Sequence, residues 1–551
     1  MSPAKKSVIL HPYLIAAYTA LLIFSHNFLN LYKEHILYGT LLAVSLRLLV
    51  AWLLLIFAYR LLKDRLKAGI IVSLFLMWFF FWGYVYEDIV LAILVKVFGV
   101  SLSSEVLLSS LFFLLWTVFF ILCAIYTLRK SNDRCTQTRI MNAASLSLIL
   151  IWLGSAYVKI NILTHHNTSL GEMSKKWGEI VENTKKDDLN AAVVKPDIYY
   201  LILDTYASYH TLNKFIGFDN DDFYGYLREK GFYVAEKSLS NYSSTLLSLA
   251  TSLNMEYLGD KYFGMLSQLR ELSSFQPHFL IAKNKVEHLL SLRGYKSISI
   301  GWGINSDCGK IFLYKGNKFV ETTGPLFFES LIGKSILDFF IGNYSGLRDY
   351  YRQQTLYNFS VLSKVIDIPG PKFVFFYIRC PHRPFVFGPD GQKAHILHFG
   401  YASDWKEYIS QLKYVNQRLK ELLELVFSKS DNPPVIILQG DHGLQLVRTE
   451  PLSAVIEYSM PILNAYYLPG EAKSLFYDSI TPVNTFRLLF NYYFKTHYDL
   501  LEDRSWFSNF DKPYDLVDVT GVFKHMDFIC SKEARSSHSV ENNADTSHRA
   551  R

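Results

Sequence analysis

The pattern of hydrophobic and polar positions divides this chain into two parts. Apolar residues crowd into the first 163 positions, in five stretches that are each long enough to cross a bilayer. The stretches cover residues 12–31, 37–59, 68–86, 105–128 and 141–163. A further apolar run, Ile89 to Val100, is short and contains Lys96, so we expect it to be interfacial or re-entrant. The pattern therefore predicts a transmembrane domain of five spans over residues 1–163.

The second part alternates short apolar runs with amphipathic stretches. Residues 164–195 are polar and charged, and we interpret them as a juxtamembrane linker. The runs that follow predict strands at 198–203, 232–235, 297–301, 373–378, 435–438 and 461–468. Helical patterns lie at 221–230, 245–253, 284–292, 404–427 and 482–493. Strands that alternate with helices predict an α/β domain with a mostly parallel sheet, over residues 196–510.

Two regions of this second part lack a clear pattern. Residues 303–370 are irregular, and no element is predicted there. Residues 511–551 form a C-terminal extension, and its polar end after Ser531 is typical of a disordered tail.

Charge gives the membrane part an orientation. The predicted loops with most basic residues are the N-terminus, residues 60–67 and residues 129–139. Because basic loops stay in the cytoplasm, we expect a cytoplasmic N-terminus, and five spans put everything after Thr164 outside. The chain is thus predicted to be a multi-pass protein of the plasma or inner membrane, with a periplasmic or extracellular C-terminal domain. The net charge of +7 includes no long basic stripe, so no nucleic-acid partner is expected.

The five cysteines do not suggest a metal site of their own. Cys308, Cys380 and Cys530 lie on the predicted outer side, where disulfides are allowed, but three cysteines cannot all pair. No C-x-x-C spacing is present. Their disulfide state is left open by the sequence.

Candidate chemistry follows three of the predicted strands. The buried run Val435 to Leu438 leads into Gly-Asp-His-Gly, which contains Asp441 and His442. Asp204 directly follows the first strand of the domain, and His382 follows the strand 373–378. Because parallel strands end at one edge of an α/β sheet, we expect these side chains to converge. Two carboxylates and an imidazole suit one divalent ion such as Mn²⁺, Zn²⁺ or Mg²⁺.

A fourth element supplies hydroxyl groups. Ser243, Ser244 and Thr245 precede a helical pattern, so they lie where free N–H groups and the helix dipole favour an anion. A hydroxyl held on the ion would become a nucleophile, and His382 could stabilise a charged transition state or protonate a leaving alkoxide. Each feature alone also has an ordinary interpretation, because serines cap helices and an Asp often begins a turn.

In this order the motifs resemble the sulfatase branch of the alkaline phosphatase superfamily. With the five spans, the chain resembles the membrane-anchored lipoteichoic acid synthases and phosphoethanolamine transferases of bacterial envelopes. The resemblance implies a metal held by Asp204, Thr245, Asp441 and His442, with Thr245 as the nucleophile. It implies that His382 lies on the phosphate side, and Ser244 stays an alternative nucleophile and a substrate contact.

Two departures from that family bear on the group that is moved. Sulfatases carry C-x-P-x-R or S-x-P-x-R, whereas Thr245 is followed by Leu-Leu-Ser; Asp204 is followed by Thr205 instead of a second Asp. The sequence therefore predicts a membrane-anchored phosphotransferase or phosphodiesterase acting on a phospholipid or glycan ester. A sulfuric ester hydrolase and a non-catalytic protein that binds glycan or lipid are the alternatives.

Overall fold

The structure is a computed structural model. It describes residues 7–27, 34–91, 93, 105–129, 133–183, 195–258, 278–301, 309–312, 331, 335–337, 345–394, 405–445, 451–509 and 512–531. The described chain forms two compact units: residues 1–167, 315–350 and 395–402 belong to the first, and the remaining residues to the second.

The first unit is helical. Its helices are α1 (His11–Asn27), α2 (Glu34–Leu62), α3 (Arg65–Phe80), α4 (Trp82–Val85), a π-helical turn (Tyr86–Leu91), α5 (Glu105–Arg129) and the first part of α6 (Arg134–Glu182). Its core contains four alanines, Ala16, Ala51, Ala58 and Ala68. Such small side chains let α1, α2 and α3 approach closely. Asp64 caps α3 by accepting a hydrogen bond from the Lys67 N–H at 3.1 Å.

Three of the five predicted spans fall on helices that are long and apolar enough to cross a membrane. These are Tyr38–Leu62, Leu108–Arg129 and Arg134–Val158. The other two predictions, 12–31 and 68–86, fall on the shorter helices α1 and α3, of 17 and 16 described residues. Helix α3 ends at Phe80, and the separate short helix α4 begins after Phe81, an interruption that hydropathy alone does not reveal. The prediction of five spans is therefore corrected to three candidate spans among the described residues.

The second unit is an α/β structure. Its first sheet contains β1 (Ile198–Leu203), β2 (Tyr233–Val234), β3 (Lys296–Ile300), β4 (Gly309–Phe312), β5 (Lys372–Ile378), β6 (Val435–Gly440) and β7 (Asn464–Tyr467). The spatial order is β2-β7-β6-β1-β5-β3-β4, and only β7 pairs antiparallel with its two neighbours. The predicted mostly parallel sheet is confirmed. A hairpin of β8 (Trp506–Asn509) and β9 (Lys512–Asp518) forms a separate sheet.

Among the described residues, ten further α-helices and a 3₁₀ helix (Gly470–Leu475) accompany the two sheets. The α-helices are α7 (Tyr209–Ile216), α8 (Asp221–Glu229), α9 (Thr245–Asn254), α10 (Phe279–Ala282), α11 (Lys285–Ser291), α12 (Ser345–Val365), α13 (Trp405–Lys429), α14 (Leu452–Ser459), α15 (Pro482–Phe494) and α16 (Thr520–Phe523). The interpretation of 303–370 as irregular is wrong, because β4 and the 21-residue α12 lie in it. Residues 164–182, predicted as linker, continue α6. The predicted tail after Ser531 lies outside the described residues.

The main core places the chemistry of the second unit. Alternate residues of the central strands, among them Tyr200, Phe375 and Ile437, pack with α9 and α15 in one apolar cluster. Burying such side chains is worth about 1.5–3 kcal/mol each. Strand β1 lies between β5 and β6, and Leu203 is level with both Ile378 and Gly440. The residues that follow these three strand ends therefore emerge side by side.

Candidate metal and nucleophile site

Asp204 and Asp441 leave the ends of adjacent strands and are both buried. Asp441 Oδ1 accepts hydrogen bonds from the Thr205 N–H at 2.9 Å and from the His442 N–H at 2.8 Å. Asp204 Oδ2 accepts one from the Tyr377 hydroxyl at 2.5 Å. The other oxygen of each carboxylate, Asp204 Oδ1 and Asp441 Oδ2, is buried with no hydrogen-bond partner among the residues that the structure describes. A buried carboxylate oxygen with no partner costs free energy, so these two atoms fit a bound cation.

His442 directs its Nε2 to the same place, and the Gln445 side-chain amide nitrogen also lies 3.3 Å from that atom. The His442 Nδ1 lies 3.0 Å from the carbonyl oxygen of Gly443, an acceptor, so Nδ1 carries the proton and Nε2 keeps its lone pair. Nε2 lies 3.8 Å from Asp204 Oδ1 and 3.6 Å from Asp441 Oδ2. The three ligand atoms all lie within 4.8 Å of one another. This donor set of two carboxylates and one imidazole fits a divalent metal ion.

The hydroxyl of Thr245 borders this group. Thr245 is the first residue of α9, and its Oγ1 lies 3.3 Å from His442 Nε2. Ser248, one turn later, donates to the Asp441 carbonyl oxygen at 2.6 Å and thereby attaches α9 to the end of β6. Ser243 is occupied elsewhere, since its hydroxyl donates to the Ser508 carbonyl at 3.1 Å and accepts from the Ser508 N–H at 3.0 Å. Ser244 precedes α9 and makes no side-chain capping bond.

His382 is joined to the site through its backbone. Its N–H donates to the Asp204 carbonyl oxygen at 3.1 Å, and its Nδ1 lies 2.5 Å from the Arg383 carbonyl oxygen. Burial, and then the nearby Arg379 cation, lower the pKa of His382 to about 4. The structure thus brings all five residues of the predicted constellation, Asp204, Thr245, His382, Asp441 and His442, to one edge of the sheet.

The electrostatics of the pair of aspartates follow from their crowding. Burial raises the pKa of the Asp204 carboxyl to about 7, and the charge of Asp441 acts in the same direction. His442, the Tyr377 hydroxyl and Arg379 act the other way. The Asp441 charge thus disfavours ionisation of the buried Asp204 carboxyl, and a bound cation would offset this repulsion.

Sequence reasoning missed several residues that build the site. Tyr377 precedes the end of β5 and lies on the sheet face that bears Phe375, so the alternation along the strand could have indicated it. Arg379 directly follows β5, donates to the Tyr351 hydroxyl at 2.8 Å and stacks 4.3 Å from that ring. Thr205 has a left-handed φ of 62°, unusual for a β-branched residue and not marked by any sequence signal.

Two of the three cysteines on the predicted outer side lie among the described residues. Cys380 and Cys530 are buried free thiols. Cys308 lies outside the described residues.

Comparison by sequence finds no relative: no family model matches the chain, and no curated protein does. Solved structures do match. The zinc complex of the C-terminal periplasmic domain of EcEptC from Escherichia coli is 12% identical, covering 63% of this chain and 98% of that chain with a TM-score of 0.41. The integral membrane protein lipooligosaccharide phosphoethanolamine transferase A (EptA) from Neisseria meningitidis is 12% identical, covering 87% and 94% with a TM-score of 0.33. The proposed sulfatase yidJ from Bacteroides fragilis is 11% identical, covering 60% and 83% with a TM-score of 0.36.

The structural neighbours are phosphoethanolamine transferases and sulfatases. Both groups are among the three that the motifs resemble, the third being the lipoteichoic acid synthases. All three matches have TM-scores below 0.5, so the function of this chain is derived from its own side chains.

Proposed function

We propose that this chain is a membrane-anchored, metal-dependent phosphotransferase or phosphodiesterase of the cell envelope. Thr245 acts as its nucleophile on a phospholipid head group or a similar ester. The observation that carries the proposal is the approach of Thr245 Oγ1 to His442 Nε2, 3.3 Å away. Beside them lie two buried carboxylate oxygens that have no hydrogen-bond partner in the described part of the chain. This arrangement suits a hydroxyl that shares a cation with Asp204, Asp441 and His442.

The residues that would hold the ion are Asp204, Thr245, Asp441 and His442. A divalent ion bound there, Mn²⁺, Zn²⁺ or Mg²⁺, supplies positive charge that lowers the pKa of a coordinated hydroxyl. The backbone N–H groups at the start of α9, together with the Ser244 hydroxyl that makes no capping bond, would bind the non-bridging oxygens of a phosphate.

The proposed reaction exchanges one ester bond for another. The Thr245 oxygen forms a bond to phosphorus and loses its proton, while the bond from phosphorus to the leaving alkoxide breaks and that oxygen gains a proton. A hydroxyl of the acceptor, or water, then attacks the phosphothreonine and restores Thr245. His382 is the side chain we assign to proton transfer with the leaving and entering oxygens.

The sequence around the nucleophile supports phosphate over sulfate. Thr245 is followed by Leu-Leu-Ser, so the Cys or Ser and the Pro of the sulfatase motif are absent at this position of the sequence. An unmodified threonine can form and release a phosphate ester, which favours phosphoryl transfer.

Metal analysis and turnover of the full-length chain in detergent test this function. We expect about one divalent ion per chain and a phosphate that can be trapped on Thr245. Thr245→Ala should abolish trapping and lower phosphodiester turnover by roughly a thousandfold or more. Asp441→Ala should lose the ion, and a chelator should inactivate the wild type until the ion is restored.

Two variants and a sulfate ester substrate complete this test. Ser243→Ala is the matched hydroxyl control, because Ser243 is bonded to Ser508 and should keep the trapped phosphate. Ser244→Ala distinguishes the alternative nucleophile. Sulfate release that survives Thr245→Ala, or full metal content and turnover in Asp441→Ala, would contradict the proposal.

A further inference from the structure

The last segment that the structure describes, residues 520–531, packs on the rest of the second unit, and we call it the C-terminal strap. It takes part in an apolar cluster that is distinct from the main core. The members of this cluster are Leu239, Val455, Ile456, Met460, Phe507, Val519, Phe523, Met526 and Phe528. Three of them lie on the strap and two lie on α14. One buried apolar cluster therefore joins the strap to α14.

Helix α14 in turn contacts the residues that follow the metal ligands. The Gly443 N–H donates to the Ser459 carbonyl oxygen at 2.7 Å, and the Leu444 N–H donates to the Tyr458 carbonyl oxygen at 2.8 Å. Tyr458 and Ser459 are the last two residues of α14, and Gly443 directly follows His442. A shift of α14 would therefore move the loop that carries His442.

One buried histidine joins the strap to α7. His210 is 1% exposed, its Nδ1 accepts a hydrogen bond from the Ile529 N–H at 2.9 Å, and its ring centre lies 5.1 Å from that of Phe528. Because Nδ1 is the acceptor, the neutral ring carries its proton on Nε2. The bond to the strap exists only while His210 is neutral, since a second proton would occupy the Nδ1 lone pair.

Two charged residues act on His210 from the helices on which the strap lies. Lys214 is on α7, Glu457 is on α14, and the two form an ion pair. Glu457 Oε1 lies 3.8 Å from His210 Nε2. Burial and then the Lys214 charge lower the pKa of His210 from its ordinary value of 6.5, and Glu457 acts in the opposite direction. This packing therefore favours the neutral ring that the strap needs.

The end of the strap is fixed by a contact that does not involve His210. The Ser531 hydroxyl donates to Glu236 Oε1 at 2.7 Å, and the same carboxylate pairs with the Arg228 guanidinium. The charged or titratable side chains of the strap that are exposed are Lys524, His525 and Asp527. Imidazole changes charge near neutral pH, so the buried His210 is the group through which mild acid would act on this contact.

We propose that the C-terminal strap is an acid-released support of the metal-site loop, which docks on α14 while His210 is neutral and detaches once His210 is protonated. Protonation sets an Nδ1–H against the Ile529 N–H, so two buried donors face each other. Docking should be strongest above about pH 6.5 and weaken below it, by at most about tenfold per pH unit. Docking does not depend on catalysis; if the proposed function holds, acid would also loosen its metal.

The buried thiol of Cys530, on the strap, reports on docking. The full-length chain in detergent is treated with a pyridyl disulfide, which modifies exposed thiols in acid as well as at neutral pH. The modification rate of Cys530 is divided at each pH by that of the exposed Cys135. We expect a constant ratio above about pH 6.5 and a steep rise below it. Cys380, which is buried beside Thr355, should stay protected, and a parallel rise there would mean general unfolding and overturn the proposal.

Replacing the histidine tests whether it controls the rise. His210→Asn offers an amide oxygen near the position of Nδ1, which can accept the Ile529 N–H at every pH and takes no proton. The Cys530 ratio should then stay low throughout. His288→Asn is the matched control, because burial also lowers the pKa of His288 but this residue lies on α11, and its acid response should equal that of wild type. An unchanged acid response in folded His210→Asn would overturn the proposal.

A second substitution tests the support of the metal site even if His210→Asn does not fold. Phe528→Ala removes the ring beside His210 and should raise Cys530 modification roughly tenfold at neutral pH. It should also weaken metal binding by roughly fivefold or more, although no metal ligand is changed. Val522→Ala, at an exposed position of the strap, should match wild type in both measurements. Unchanged metal affinity in Phe528→Ala would show that the strap does not support the site.

The two proposals fail separately. Asp441→Ala should lose the metal, yet Cys530 should still become reactive in acid, so release of the metal cannot be the cause of that response. A chain without phosphodiester turnover but with this response would contradict only the proposed function. Turnover and trapped phosphate in a chain whose Cys530 ratio is constant with pH would contradict only the strap.

Discussion

Gly440 and Gly443 flank the Asp441–His442 pair, and the absence of a side chain at each lets two backbones meet there. A Cβ added to Gly440 would lie 2.3 Å from the Tyr206 carbonyl oxygen, and one added to Gly443 would lie 2.4 Å from the Tyr458 carbonyl oxygen. These distances are shorter than any real contact, and backbone cannot rotate away as a side chain can. The two glycines therefore allow the end of β6 to pack directly against the backbone near Tyr206 and Tyr458.

We predict that Gly443→Ala destabilises the chain and reduces metal binding together. The new methyl group must push the backbone near Tyr458 aside, which should cost about 1–3 kcal/mol, the usual penalty for overpacking. Thermal unfolding and metal content of the purified chain measure both effects. Gly521→Ala is the control, since a Cβ there meets nothing within 4 Å and stability should not fall. An unchanged melting temperature and metal content for Gly443→Ala would show that the close approach is unimportant.

Among the elements, helix α13 has a role beyond packing on the sheet. Its buried Gln411 accepts a hydrogen bond from the Val386 N–H at 2.8 Å and donates to the His382 carbonyl oxygen at 3.0 Å. One side chain thus joins both ends of the segment that follows β5. The hydrogen bond from the His382 N–H to the Asp204 carbonyl fixes the same segment from the other side.

We predict that Gln411→Leu lowers turnover without removing the metal. The substitution leaves the His382 carbonyl and the Val386 N–H without this partner, which costs about 1–3 kcal/mol for each buried group left unsatisfied. His382 should lose its fixed position, whereas Asp204, Asp441 and His442 make no bond to Gln411. Gln417→Leu, at an exposed position of the same helix, should behave as wild type in both assays. Loss of metal in Gln411→Leu, or unchanged turnover, would contradict this role.

At the scale of the whole molecule, function depends on which side of the membrane the second unit occupies. The five predicted spans put the chain's two ends on opposite sides of the membrane, whereas three candidate spans are found among the described residues. The orientation rests on the basic loops, which predict a cytoplasmic N-terminus. A phospholipid donor in the outer leaflet is accessible to the proposed enzyme only in this orientation.

A membrane-impermeant maleimide tests the predicted orientation. Cys135 is exposed and lies in a predicted cytoplasmic loop, so it should react only after the cells are lysed. A cysteine introduced by Ser474→Cys, on the exposed surface of the second unit, should react in intact spheroplasts. Cys380 and Cys530 are buried and should react slowly in both states. Labelling of Cys135 in intact spheroplasts would show that this loop is outside. The predicted topology would then be wrong, and the second unit would not lie on the outer surface.

The sequence by itself determined the parts of this protein that depend on local patterns. Apolar length marked the membrane part, alternation of apolar runs with amphipathic stretches predicted the parallel sheet, and strand ends indicated Asp204, His382 and Asp441. The parallel sheet and the meeting of these three residues at its edge were predictable because buried strands are continuously apolar and parallel strands end at one edge.

Only the tertiary structure decided what depends on contacts between distant residues. It shortened α3 at Phe81, revealed α12 where no pattern was evident, and placed Tyr377 on Asp204, 173 residues apart. It also brought the Thr245 hydroxyl to His442 and left one oxygen each of Asp204 and Asp441 buried with no hydrogen-bond partner among the described residues. Hydrogen bonds and unpaired buried charges arise only when the chain is packed, so the periodicity of the sequence cannot predict them.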